Sequence, residues 1–439
     1  MNNLFKSKLL KQLSTTLLIS LLVCVVTGPS GSPTAPASGF TGSFNSKSSF
    51  FGLFGAPRWT IFVFLGLLIF AAYRVKANYS NYISKITDKA LFIPRKITRH
   101  QSTRRVSIGA LLVISLILPK IVTDHFWQTV LVSQIAVYIL LALGLNIVTG
   151  FAGLLDLGFV AFYGVGAYAT AWATGALPLP ALFGVHIDPF FAIPLAIGFA
   201  MIAGIILGIP TLRLRGDYLA IVTLGFGEII TLFANNLYGI TGGALGSNQI
   251  PHFAINLGPI KYAWGLAPVP YYYLTLVFVV IFIIIFSSLE HSRVGRSWTA
   301  IREDEVAAES VGINPLKYKV MAFAIGAASA GFAGVITAAQ TNFINPASFT
   351  LYVSINVLVL VIFGGMGSIA GVVFGAVFIQ AVSMYLIHTP PSGYQPADLY
   401  IYIGALLVVM MIFRPEGLIP AKRRGRSTAH ANVQLTEGN

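Results

Sequence analysis

The sequence predicts an all-α fold: a polytopic transmembrane helix bundle of about 10–12 spans with glycine-rich broken helices and both ends cytoplasmic. Apolar runs approaching or reaching bilayer length recur along nearly the whole chain, as at 193–210, 271–289 and 399–413 with their flanks. A hydrocarbon core about 30 Å thick needs about 20 mostly apolar residues in helical form. Only 10% of residues are charged and 56% are hydrophobic, whereas a soluble domain carries about a quarter charged. The basic residues fall almost entirely between every second pair of apolar runs, and short cytoplasmic loops are where Lys and Arg collect.

Along the chain, Lys6, Lys8 and Lys11 precede an apolar run at 17–26. That pattern fits a cleaved signal peptide or a first span with a basic flank; the lack of an A-x-A site favours a retained helix. A Pro-rich, Gly- and Ser-rich stretch at 28–57 reads as a flexible external loop, and 59–73 reads as a second span. Residues 1–105 are thus an N-terminal extension with two predicted spans and a strongly basic cytoplasmic loop at 74–105. Residues 106–122 cross outward and 126–148 cross back, with Trp127 near the outer interface. Glycines crowd 150–166, and irregular backbone at membrane depth survives only when buried in protein or lining water. Further spans read at 159–175, 190–212, 218–238 and 271–289, with external loops at 177–189 and 239–270. Arg213, Arg215 and Asp217 read as anchors at the cytoplasmic interface. The polar loop 290–319 faces the cytoplasm. Spans at 320–340, 351–363, 371–387 and 399–413 follow, with a second glycine break at 364–371. The core domain is 106–420, and 421–439 is a basic cytoplasmic tail.

The net charge of +14 does not imply nucleic acid, because the charges sit in membrane-flanking clusters facing anionic lipid headgroups. Cys24 is the only cysteine, so an internal disulfide is impossible; it reads as a lipid-facing or packed helix residue. The seven histidines lack metal-ligand spacing. There is no phosphate loop and no H-E-x-x-H, nor a G-x-S-x-G elbow. Gly365-Met366-Gly367-Ser368-Ile369-Ala370 matches a loose dinucleotide pattern, but it lies in apolar membrane sequence without a βαβ unit. No catalytic, cofactor or metal site is expected, and the chain reads as a non-enzyme.

Helix packing is written in small residues. Gly367, Gly371 and Gly375 form a doubled small-x-x-x-small series, and Gly204 with Gly208 forms another; such spacing lets backbones touch. The polar loop holds Arg302, Glu303, Asp304, Glu305 and Glu309 beside apolar Ile301, Val306, Ala307, Ala308 and Val311. On one helix these make an amphipathic rod ended by Gly312 and Asn314-Pro315, either a solvated loop or a docking helix. Two acids stand in or beside apolar sequence, where charge is costly and usually faces a cavity or partner. Asp156 either caps the helix after it or belongs to a pathway. Glu228, mid-span, has a pathway, inter-subunit or structural role.

Several stretches resemble the branched-chain amino acid permease family of ABC importers. They are Leu145-Asn146-Ile147-Val148-Thr149-Gly150-Phe151-Ala152-Gly153-Leu154-Leu155-Asp156-Leu157-Gly158, the run from Leu212 to Glu228, Thr241-Gly242-Gly243, Ala300-Ile301-Arg302-Glu303-Asp304-Glu305, Phe363-Gly364-Gly365-Met366-Gly367-Ser368 and Arg414-Pro415-Glu416-Gly417-Leu418. The length and extended N-terminus look most like the LivM-type subunit. The loop resembles a degenerate E-A-A-x-x-x-G coupling motif: Ala307, Ala308 and Gly312 fit, but Val306 stands where the Glu belongs.

The resemblance implies an inner-membrane permease for branched-chain or related neutral amino acids. It also implies partners: a second permease subunit in a heterodimer, cytoplasmic ATP-binding subunits and a periplasmic solute-binding protein. The loop 290–319 is then the ATPase-coupling loop, with Arg302, Glu303, Asp304, Glu305, Ala307, Ala308, Glu309 and Gly312 as its candidate residues. Gly150, Gly153, Asp156, Gly158 and Glu228 are candidates for the translocation pathway. A substrate carboxylate is expected to meet broken-helix N-termini near Gly150–Gly158. Urea or short amides stay open as substrates, because related permeases share these motifs. A self-sufficient secondary transporter or channel is the alternative of another class.

Overall fold

The computed structural model describes residues 113–180, 187–211, 217–257, 260–389, 398–414 and 416–421, with Leu67. Expectations for 1–105 (Leu67 apart), for Cys24, Arg213 and Arg215, and for the tail 422–439 lie outside the described residues. The chain divides into two compact units. One comprises 1–118 with 381–415; its described part includes helical residues 113–118 and the helix Asp398–Phe413. The other comprises 119–380 with 416–439 and carries every candidate site residue.

Helix α1, His125–Phe151, opens on Asp124, whose carboxylate accepts from the Phe126 amide at 3.1 Å. It runs through two π-helical turns, Leu131–Ala136 and Asn146–Phe151. From Val130 onward most of its residues are apolar and buried, as expected of a helix inside a bundle rather than at its rim. After a non-helical break, α2 spans Val160–Ala173. Its 14 residues reach about 21 Å at 1.5 Å each, too short to cross alone. Helix α3, Pro189–Thr211, tolerates Pro194 and Pro210 inside it, and α4 covers Asp217–Asn236. A short α5, Tyr238–Thr241, leads into the strands.

The stretch 239–270, expected as a loop, is partly ordered as strand. β1 (Ser247–Asn248) pairs antiparallel with β4 (Phe343–Ile344), and β2 (Ala254–Leu257) forms a hairpin with β3 (Ile260–Ala263). Next come α6 (Pro268–His291), α7 (Arg293–Glu303), α8 (Glu305–Ser310) and α9 (Pro315–Thr341). Then come α10 (Leu351–Gly364), α11 (Ile369–His388) and α12 (Asp398–Phe413).

Helix α9 is the central mast of the second unit. It meets α1, α2 and α3 through residues with little or no side chain. An ideal Cβ on Gly144 would lie 2.7 Å from the Gly326 carbonyl, and one on Gly334 would lie 2.6 Å from the Ala167 amide. One on Gly204 would lie 2.9 Å from Ala327, so the Gly204 notch admits α9, while Gly208 stands in ordinary contact with Phe323. Without a hydrophobic drive inside lipid, close backbone approach is what holds such helices together. Two clasps fix the ends of α9. Near its C-terminus the Tyr271 hydroxyl donates to the Ala339 carbonyl at 2.9 Å, with His252 beside both. At its head Lys319 pairs with Glu305 at 2.7 Å.

Seven helices among the described residues are long and apolar enough to cross a membrane. They make the chain a polytopic helical bundle with little sheet.

Candidate functional site

The polar loop folds as two helices rather than the single rod expected from its pattern. The break falls at Asp304, whose extended backbone ends α7 and whose carboxylate accepts from the Val306 and Ala307 amides at 2.9 and 3.0 Å to start α8. Asp304 is therefore a cap. Ser292 caps α7 in the same way, and Asn314 caps α9. Gly312 ends α8 in a left-handed conformation, φ 86°, which only glycine adopts freely.

Three anchors hold this pair of helices. Trp298 is fully buried, stacks on Phe151 at 6.5 Å and donates through Nε1 to the Tyr318 carbonyl at 2.7 Å. Ala308 and Ile301 are buried. Glu305, expected among the docking acids, instead holds the buried Lys319. Glu303, Val306, Ala307, Glu309 and Val311 remain exposed. A shallow depression of about 470 Å³ opens beside them, lined by Glu305, Glu309, Gly312–Leu316 and Lys319.

The first glycine break, 152–159, is wedged between α4 and α10. The Leu157 amide donates to Thr223 Oγ1 at 3.1 Å, and the Val160 amide donates to Ser354 Oγ at 3.0 Å. Gly158 lies directly on the Thr223 carbonyl, and a Cβ on Gly227 would come within 3.2 Å of the Gly158 Cα. Asp156 is fully buried. Its Oδ1 accepts from the Gly158 amide at 2.8 Å, and its Oδ2 has no partner among the described residues. It does not cap α2, which begins after Phe159 with no side-chain cap. The amides of Leu157, Gly158, Val160, Ala161 and Phe162 are all used internally. A substrate carboxylate can reach them only if the break opens.

Gly150 and Gly153 have other contacts than Asp156 has. They face Arg302 of α7, whose Nη1 donates to the Gly150 carbonyl. Gly367, expected at the head of a helix-packing series, lies in the turn before α11. There it meets Arg302 and Gly150, and its amide donates to Asn146 Oδ1 at 2.8 Å. Gly371 and Gly375 do pack helices. A Cβ on Gly375 would lie 2.8 Å from the Gly364 Cα of α10, and one on Gly371 would lie 2.8 Å from the Ile419 carbonyl.

Glu228 is exposed on the face of α4 turned away from the break. It forms no ion pair with the described residues. Ile221, Gly225, Leu232 and Asn235 share that face at helical spacing, and Gly225 leaves open space beside the carboxylate. Thr223, Ser354, Asn146, Trp298 and Lys319 were not singled out from the sequence. Thr223, Ser354, Asn146 and Lys319 share one signal, a polar group at the edge of, or within, an apolar run, whereas Trp298 is an indole inside the polar loop.

Comparison with known proteins agrees with this architecture. The family model described as the permease component of branched-chain amino acid transport systems matches residues 129–413. Two relatives are the high-affinity branched-chain amino acid transport system permease proteins LivM of Salmonella typhimurium and Escherichia coli. They are 35% and 36% identical over 385 residues, 83% of this chain and 86% of each relative. The corresponding LivH permease of Salmonella typhimurium is 28% identical over 132 residues, 30% of this chain and 41% of that protein. No solved structure matches.

Proposed function

The chain belongs to the branched-chain amino acid permease family of ABC importers, and from that premise we propose how it moves branched-chain amino acids. The observation that carries this reading is the family match across residues 129–413, which takes in the bundle and the polar α7–α8 pair alike. The chain sits in the inner membrane beside a second, related permease. A periplasmic binding protein delivers the amino acid, and ATPase subunits grip α7–α8 from the cytoplasm.

The exposed residues of α7–α8 suit that grip. Val306, Val311 and Leu316 give apolar contact, Glu303 and Glu309 give charge, and the depression at 312–316 gives a notch. The translocation pathway runs along the α4 face that carries Glu228. This residue lies about 15 Å along a membrane-spanning helix, counted from Tyr218. A carboxylate there is costly against lipid and cheap against water or a protein partner. The ammonium of a zwitterionic amino acid is its natural counter-charge, while Ile221 and Leu232 offer apolar walls to an aliphatic side chain.

The test is reconstitution in proteoliposomes with both permeases, the ATPases and the binding protein. Leucine uptake that requires ATP supports the reading. Uptake by this chain alone, driven by an ion gradient, refutes it. Preference for urea or a short amide over leucine refutes the substrate class.

A further inference from the structure

We propose that Arg302 is the pin that ties α7–α8 to both glycine-rich turns of the bundle, and that displacement of this element reaches the transmembrane path through it. The proposal rests on the reading of the chain as an ATP-driven permease. Arg302 stands in the last turn of α7. Arg302 is exposed like its neighbours Glu303 and Glu309, but one end of its guanidinium reaches inward to the Gly150 carbonyl.

Three glycines border its inner side. On one side its Nη1 donates to the Gly150 carbonyl, one of the carbonyls left over where α1 ends. A helix C-terminus carries partial negative charge, so a cation is favoured there, and the hydrogen bond is charge-assisted. On the second side the arginine stem lies along Gly153, where an ideal Cβ would fall 2.7 Å from Cγ and 3.2 Å from Cβ of Arg302. On the third side a Cβ on Gly367 would lie 3.3 Å from Nη1 and 3.3 Å from the Gly150 carbonyl oxygen. Beneath the guanidinium, Asn146 Oδ1 holds the Gly367 amide, so the two turns are already joined to each other.

Gly153 and Gly367 both have positive φ, 73° and 83°. Their backbone geometry and the space they leave serve the same side chain. One residue of the driven element therefore touches both irregular segments at once. Arg302 is a positioning residue in this scheme; it touches no substrate.

The experiment uses the complete reconstituted complex and reads leucine moved per ATP hydrolysed for Arg302→Gln, Arg302→Lys and Gly153→Ala. Arg302→Gln and Gly153→Ala are each expected to lower that ratio about tenfold, with ATPase subunits still bound at wild-type stoichiometry. Arg302→Lys keeps the cation and recovers part of the ratio. Hydrogen exchange at residues 150–154 should respond to ATP plus vanadate in the wild type and lose that response in Arg302→Gln. A native ratio with a native exchange response in Arg302→Gln overturns the pin. Loss of the ATPase subunits from that variant also overturns it, because Arg302 would then serve docking. ATP-independent uptake by the wild-type complex instead sinks the functional reading itself.

Discussion

Lys319 is a cation at the head of an apolar helix and is only 5% exposed. Its one carboxylate partner among the described residues, Glu305, has a side chain 35% exposed. Replacing Glu305 by Ala leaves the ammonium buried and unpaired, which costs far more than a surface pair is worth. The partial exposure of Glu305 moderates the loss to about 1–3 kcal/mol. Thermal unfolding in detergent should show it, and adding Lys319→Met should recover most of it, since an apolar replacement of both partners is tolerated. Glu305 is thus the wrong residue for a charge-reversal test of docking. Glu303→Lys with Glu309→Lys leaves the clasp intact, and this variant should shed ATPase subunits in a co-purification assay. For Glu228 the expected outcome is functional. Glu228→Gln removes one charge-assisted contact, and a loss of about 1.4 kcal/mol lowers transport efficiency about tenfold with normal membrane insertion. Unchanged leucine kinetics would place Glu228 outside the pathway.

Helices α7 and α8 owe their position to Trp298 more than to any charge. Truncating this indole removes the stack on Phe151 and the hydrogen bond to Tyr318, a cost of about 3–5 kcal/mol. Limited proteolysis at 304–312 should accelerate in Trp298→Ala while the spans stay protected. The limits of sequence reading show clearly in this element. Its amphipathic pattern runs unbroken through Asp304, because apolar spacing reports burial and the chain bends without changing face. The break was written in Asp304 itself, an N-cap residue just before an acidic first turn. Spans were legible for a simple reason: a bilayer demands length and apolarity in one continuous segment. The meeting of Gly150, Gly153, Arg302 and Gly367 was not legible, since nothing local in any of the three segments points to the others. Asp156 was legible as unusual, but its burial goes with the packing of Leu157 and Gly158 against Thr223 of α4.

At the scale of the second unit, the mast α9 carries small residues where α1, α2 and α3 converge. Gly334→Val would drive a branched side chain into the Tyr163–Ala167 backbone, and overpacking of this kind costs about 1–3 kcal/mol or more. The variant should fail to yield a monodisperse complex by size exclusion, whereas Val on Gly198, which has open space around it, should assemble normally. The same mast is held by Lys319 at one tip and by Tyr271 through the Ala339 carbonyl near the other. Its 27 residues make a rod about 40 Å long. Gripped near both extremities, such a rod has little slack to absorb a tilt. A nudge at the Glu305 tip is delivered, leverlike, to the strands and loop around His252 on the far face.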